Sequence, residues 1–287
     1  MNRWQLIRTA LGNSGCFRMN REFIGYTLQE TFPLIRSAEA LAFAAATNDE
    51  NPVYQEDHAP VSPFYICRLV IPGLWKMLSL KGLGLNLIRM VHGQQEVLWH
   101  ELIRVGDALT VELTIQDIRE TPAGELLEIY GRAFRGETIV VESVIGLMVR
   151  GRKTGKKEPS PEAPGPAETF RLPLPLSADQ ALRYAEASGD HNFIHTRPIL
   201  ARLAGLPRTI MHGAGVMAMA GAALTRHALD GDISRLVRMK GRFSRPAFPG
   251  RTLDLVGYDT DRENEIPHQV LDDAGRPVFK AGLLSFR

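Results

Sequence analysis

The feature that most restricts how this chain can fold is an internal repeat. Near the start of each half lies a short amphipathic segment. Ser37 precedes Ala38, Leu41, Ala42 and Ala45 in the first half; Ser177 precedes Ala178, Ala181, Leu182 and Ala185 in the second. Both stripes follow helical spacing, and both serines stand where a helix cap is expected. Ser177 and Gln180 also have the spacing of a capping box. Related polar turns follow, Thr47-Asn48-Asp49-Glu50-Asn51-Pro52-Val53-Tyr54 and Ser188-Gly189-Asp190-His191-Asn192-Phe193-Ile194-His195. Next come apolar stretches, roughly Phe64 to Leu80 and Gly213 to Leu229, that read as longer helices. Alternating runs then read as strands, with Val111, Leu113 and Ile115 in one half and Val237, Met239 and Phe243 in the other. Val105-Gly106-Asp107 and Pro249-Gly250-Arg251 are matching turns into strands, and Gly146-Leu147-Met148 and Gly282-Leu283-Leu284 close the halves alike.

Each half is therefore expected to be an α+β unit in which an antiparallel sheet covers its apolar face with a long helix. Residues 151–168, GRKTGKKEPSPEAPGPAE, have linker composition and no hydrophobic period. They separate an N-terminal repeat, residues 1–150, from a C-terminal repeat, residues 169–287. Two such units can pair as a pseudo-dimer within one chain.

Composition narrows the partners. A net charge of +2 over 287 residues gives no global attraction to nucleic acid or to an anionic membrane. No apolar run approaches the roughly 20 residues of a spanning helix, and Arg8, Asn13 and Ser14 interrupt any signal-like core at the start. The two cysteines, Cys16 and Cys67, lack metal-ligand spacing and are too few for a disulfide framework. A reducing, cytoplasmic setting is expected.

The chemistry concentrates in the second half. The run Tyr184-Ala185-Glu186-Ala187-Ser188-Gly189-Asp190-His191-Asn192-Phe193-Ile194-His195 is followed, after an intervening segment, by Thr209-Ile210-Met211-His212-Gly213. This combination resembles the MaoC-like, or R-specific enoyl-CoA hydratase, family. The resemblance implies the double hot-dog fold and catalysis by Asp190 and His195, which hold and activate one water. It departs from the family pattern at Phe193, where proline is usual, and at Arg197, where a carboxylate is common. It implies an acyl thioester substrate and no metal or organic cofactor. Coenzyme A and an acyl-carrier protein remain open as the carrier, and a homodimer as the assembly.

The residues are suited to that chemistry in their own right. Gly189 can end its helix in a left-handed conformation and re-aim the chain. Hydration of a 2-enoyl thioester needs a base for water and a proton for the α-carbon, and a carboxylate with an imidazole suffices. Asn192 is placed to hold the loop by hydrogen bonds to its backbone. Gly213, at a helix N-terminus, can present an open N–H to the thioester oxygen. His212 is expected to pack and hydrogen-bond, and His191 to be exposed.

Competing readings are specific. His191 and His195 have the i, i+4 spacing of zinc ligands but lack the accompanying glutamate. Arg238, Lys240 and Arg242 alternate along a strand and present either a solvated face or a dock for phosphates or an acidic carrier. A hot-dog thioesterase and a non-catalytic acyl-thioester binder are the alternative functions; a pair too far apart to share a water would favour the binder. In the first repeat Tyr54 stands where the second has His195, and Pro63-Phe64 about where it has His212-Gly213, so that repeat is expected to be non-catalytic.

Overall fold

The computed structural model describes residues 18–87, 89–151 and 166–287. The first repeat runs β1 (Thr27–Phe32), α1 (Ser37–Ala46), α2 (Ile66–Leu78), β2 (Met90–Trp99), β3 (Leu109–Thr121), β4 (Gly124–Arg135) and β5 (Thr138–Arg150). The second runs β6 (Glu168–Pro175), α3 (Gln180–Ser188), α4 (Phe193–Thr196), α5 (Pro198–Leu203), α6 (Gly213–Ala228), β7 (Leu236–Phe243), β8 (Thr252–Tyr258), β9 (Glu265–Leu271) and β10 (Pro277–Phe286). The expected linker falls mostly on residues 152–165, outside the described residues, as does the N-terminal segment 1–17.

All the strands among the described residues join one antiparallel ten-stranded sheet in the order β1-β3-β4-β5-β2-β7-β10-β9-β8-β6. Each half of that order repeats the other in reverse, as two copies of one unit joined edge to edge must do. The seam is β2 against β7, with Gln94 opposite Arg242 and Leu98 opposite Arg238. Pairing the two edges leaves neither exposed at the middle of the protein. This is the α+β double hot-dog architecture that the repeat and the resemblance implied.

The pattern that marks a strand also decides its faces. Val111, Leu113 and Ile115 of β3 are buried, with partly exposed residues between them. The sheet's inner face packs on α2 and α6, whose small residues allow close approach. A Cβ on Gly221 of α6 would lie 2.2 Å from the ring of Phe64, so only glycine admits that aromatic from the other repeat. Gly106 and Gly250, the matched turn glycines, have φ of 92° and 75° and lead into β3 and β8.

Three local expectations change. Ser37 is the first helical residue of α1 and makes no side-chain cap; Arg36 stands at the cap position. Ser177 lies before a turn that leads into α3, and only the glutamine half of the capping box forms, with Gln180 Oε1 accepting from the Ser177 N–H at 3.3 Å. Val237 is exposed because the β7–β10 register shifts there, with Leu236 opposite Phe286 and Arg238 opposite Ser285. Beyond that bulge ordinary alternation keeps Arg238, Lys240 and Arg242 on one face, where Arg238 pairs with Glu96 at 2.7 Å. None of the three lines the large cavity.

Candidate active site

The loop that carries Asp190 is built by short-range hydrogen bonds. Gly189 ends α3 with φ 80°, and its N–H donates to the Ala185 carbonyl at 2.9 Å. This left-handed residue turns the chain sharply out of the helix. The Asn192 N–H donates to Asp190 Oδ1 at 3.2 Å, and Asn192 in turn caps α4 by accepting from Ile194 N at 3.4 Å. Phe193 therefore fills the usual proline position without loss of the turn, since the asparagine cap supplies the constraint. The His195 N–H donates to the Asn192 carbonyl at 3.0 Å, which seats the imidazole on α4.

Long-range contacts orient the two imidazoles. His195 Nδ1 lies 2.8 Å from the Ile210 carbonyl. A carbonyl only accepts, so Nδ1 carries the hydrogen and Nε2 keeps its lone pair. His212 stands at the cap position of α6 without capping it by its side chain, and its Nε2 donates to the main-chain carbonyl of Asp190 at 2.9 Å. The two rings stack with centroids 3.7 Å apart, and Tyr184 closes the other side of His212 at 4.8 Å. Burial pushes the pKa of His195 down, while the Asp190 charge and the Ile210 carbonyl pull it up. Burial, reinforced by neighbouring His195, holds His212 well below the usual histidine value. His212 is thus a neutral packing and hydrogen-bonding residue, as its position in the sequence suggested.

The side chains of Asp190, His195 and His212 offer donor atoms that all lie within 4.8 Å of one another. Two hydrogen bonds of ordinary length span that distance through one water. The condition that would have favoured a non-catalytic binder, a pair too far apart to share a water, does not arise. These are also the residues that could hold a metal ion; His191 is not among them. It is exposed and faces Glu186 at 3.7 Å.

Asp190, Asn192, His195 and Gly213 all line one cavity of about 1310 Å³. Gly213 opens α6, where helix geometry leaves N–H groups without intrahelical acceptors and concentrates positive dipole. A Cβ there would come within 3.0 Å of the Phe243 ring, so glycine keeps this approach open. The segment after α4 roofs the space with Leu203, Leu206 and Ile210, while Arg197 stays exposed. The opposite wall belongs to the first repeat and includes Ile71, Leu74 and Trp75 of α2 and His92 of β2. Sequence reasoning placed no first-repeat residue here; Gly93, a glycine inside a strand pattern, is the signal that could have pointed to His92.

The corresponding station in the first repeat has different chemistry. Val61 and Met211 make equivalent hydrogen bonds, to Ile103 and Ala247 carbonyls at 2.8 Å in each case. The residue matching His212 is therefore Ser62 and the one matching Gly213 is Pro63, a shift of one from the alignment of the bare sequences. Both Ser62 and His212 occupy the cap position of the following helical segment. Proline has no N–H, so the donor itself is missing. Tyr54 donates to Asp49 Oδ2 at 2.7 Å and Ser62 donates to the same oxygen at 3.1 Å. Burial raises the Asp49 pKa, and these two hydrogen bonds oppose it.

Comparison with known proteins matches each repeat separately. Residues 159–270 match the MaoC like domain, and residues 22–141 match the FAS1-like, dehydratase domain region. The chain is 31% identical over 186 residues to 3-hydroxyacyl-thioester dehydratase Y of Mycobacterium tuberculosis, covering 61% of this chain and 64% of that protein. It is 26% identical over 232 residues to 3-hydroxyacyl-thioester dehydratase X of the same organism, covering 79% of this chain and 78% of that one. A MaoC-like dehydratase from Phytophthora capsici superposes with a TM-score of 0.80 at 23% identity, over 93% of this chain and 98% of its own, a likeness of fold. The second repeat thus matches the MaoC like domain over most of its length, and the chain as a whole shares the double hot-dog fold of MaoC-like proteins.

Proposed function

We propose that the chain is an R-specific 2-enoyl thioester hydratase, and in reverse a 3-hydroxyacyl thioester dehydratase, with a single active site at Asp190 and His195. The observation that carries this reading is the placement of the Asp190 carboxylate and the His195 imidazole within one water's reach on the wall of a large, mostly apolar cavity. Water held between Asp190 and His195 gives its oxygen to the β-carbon and one proton to the pair. The pair returns a proton to the α-carbon, so the atoms balance. Negative charge that develops on the thioester oxygen meets the Gly213 N–H; one such donor contributes about 2.7–4 kcal/mol in comparable oxyanion holes.

The acyl chain extends between the repeats, where Ile71, Leu74 and Trp75 offer apolar surface. Arg89, Arg150 and Arg245 line the same cavity and supply positive charge for the phosphates of a coenzyme A or phosphopantetheine arm. The reading needs neither metal nor organic cofactor. Among the described residues, no helix is long and apolar enough to cross a membrane. The buried free thiol of Cys67 fits the reducing, cytoplasmic setting inferred from the cysteine count.

The test is to incubate the purified protein with 2-enoyl-CoA and 2-enoyl-carrier-protein substrates of several lengths and follow loss of the conjugated absorbance. Hydration that persists after exhaustive chelation is the expected result. Release of free thiol without loss of the enoyl group would favour a thioesterase instead. Activity lost on chelation and restored by zinc would assign Asp190, His195 and His212 to a metal.

A further inference from the structure

The first repeat contributes a titratable group to the cavity that this mechanism does not use. Along β2, Gln95, Val97 and Trp99 are buried on the inner face, while Glu96 stands on the outer face beside Arg238. Strict alternation back from Glu96 would leave Gln94 and His92 outside as well. A β-bulge intervenes. Gln94 lies opposite Gly146 and His92 opposite Leu147, with Gly93 as the extra residue. Leu147 is a buried, cavity-lining residue, so the bulge turns His92 inward to share its face. Bulges occur beside active sites, where they re-aim a side chain in this way.

The surroundings of His92 tie it to the reacting groups. Its ring lies 4.5 Å from that of Phe243, the side chain that closes on Gly213. It lines the cavity together with His195, whose charge would be felt at the imidazole. Burial holds the pKa of His92 down to about 4, against the pull of the Gln94 main chain and the Gln95 side chain, so the ring is neutral and has one N–H and one lone pair. Its Nε2 is buried and has no hydrogen-bond partner among the described residues. A buried nitrogen in that condition is costly to the free protein and calls for an explanation. Rotation of the ring about χ2 is soft, so a ligand in the cavity can be that partner.

We propose that His92 is a substrate-contacting residue lent by the first repeat, its imidazole hydrogen-bonding the acyl thioester that lies between His195 and Gly213. This rests on the hydratase reading of the site. It makes the active site a product of both repeats although only one carries the water-activating pair.

Two variants separate this role from packing. His92→Phe keeps a ring against Phe243 but removes both nitrogens; His92→Gln keeps a donor and acceptor at similar reach. With trans-2-butenoyl-CoA and trans-2-decenoyl-CoA, kcat/KM for His92→Phe should fall about ten-fold, the weight of one hydrogen bond, with the melting temperature unchanged. His92→Gln should recover most of that loss. Binding of the unreactive butanoyl-CoA, measured by calorimetry, should weaken in parallel in His92→Phe. A His92→Phe protein within two-fold of wild type in both rate and binding overturns the assignment, as does a folded His92→Gln protein no better than His92→Phe. If the wild type hydrates neither substrate, the hydratase reading fails, and butanoyl-CoA binding still decides for or against His92.

Discussion

His212 is bound to Asp190 through the main chain: Nε2 donates to the Asp190 carbonyl at 2.9 Å and stays 3.9 Å from the carboxylate oxygen Oδ2. The loop is held without neutralising the group that must work. Asp190 keeps Oδ1 on the Asn192 N–H and leaves Oδ2 for water. Asp190→Asn preserves the shape and removes the basicity, so hydration should fall by about 10²–10⁴-fold, the range for loss of general acid–base catalysis. His195→Ala should do likewise. Steady-state rates and melting curves for both variants check this; an Asp190→Asn protein with near wild-type rate would refute the mechanism.

Gly213 allows a finer test. Alanine is a good helix former at the first position of α6, so stability should change little. Its Cβ would come within 3.0 Å of the Phe243 ring, on the side where the thioester must approach the N–H. We expect Gly213→Ala to lower kcat by about 10²-fold, comparable with loss of one oxyanion donor. An unchanged kcat would place the thioester elsewhere.

The first repeat should tolerate loss of its own polar triad. Asp49→Ala and Tyr54→Phe, singly and together, should leave activity within a few-fold of wild type. Tyr54→Phe removes a buried 2.7 Å hydrogen bond, so a stability loss of about 1–3 kcal/mol is expected. Urea unfolding and initial rates measured on the same samples separate the two effects. If folded Asp49→Ala were as inactive as Asp190→Ala, the single-site reading would be wrong.

Stability should depend on pH through the buried histidines. His92 and His268 have pKa values lowered by burial to about 4, and His195 and His212 are lowered by the same cause. Each is neutral in the folded protein, whereas an unfolded chain takes up protons near pH 6.5. The unfolded state therefore binds more protons below about pH 6.5, and stability falls as pH falls through that value towards 4. One net proton corresponds to about 1.4 kcal/mol per pH unit, so the urea midpoint should drop clearly between pH 7 and 5. A midpoint flat over that interval would contradict neutral buried histidines. Replacing His268, which lies away from the site cavity, by a neutral residue should flatten the slope without removing activity.

The sequence by itself determined whatever depends on neighbours along the chain. The repeat, the helix stripes, the left-handed turn at Gly189 and the asparagine cap at Asn192 all arise from contacts a few residues long. Local patterns carry that information because backbone geometry imposes it directly. They also placed Asp190, His195 and Gly213 in one functional unit, through resemblance to a known motif. Tertiary structure alone decided the rest. The Ile210 carbonyl that selects the His195 tautomer, and the stacking of His195 on His212, depend on how α4, α5 and α6 pack. The match of Ser62 and Pro63 to His212 and Gly213 appears only once Val61 and Met211 are seen to make the same hydrogen bond. The inward turn of His92 comes from a single extra residue in the pairing of β2 with β5. A shift of one residue reverses the faces of a strand, and its pairing partner lies far away in sequence, so Gly93 could hint at a bulge but the face His92 takes was decided only by the pairing.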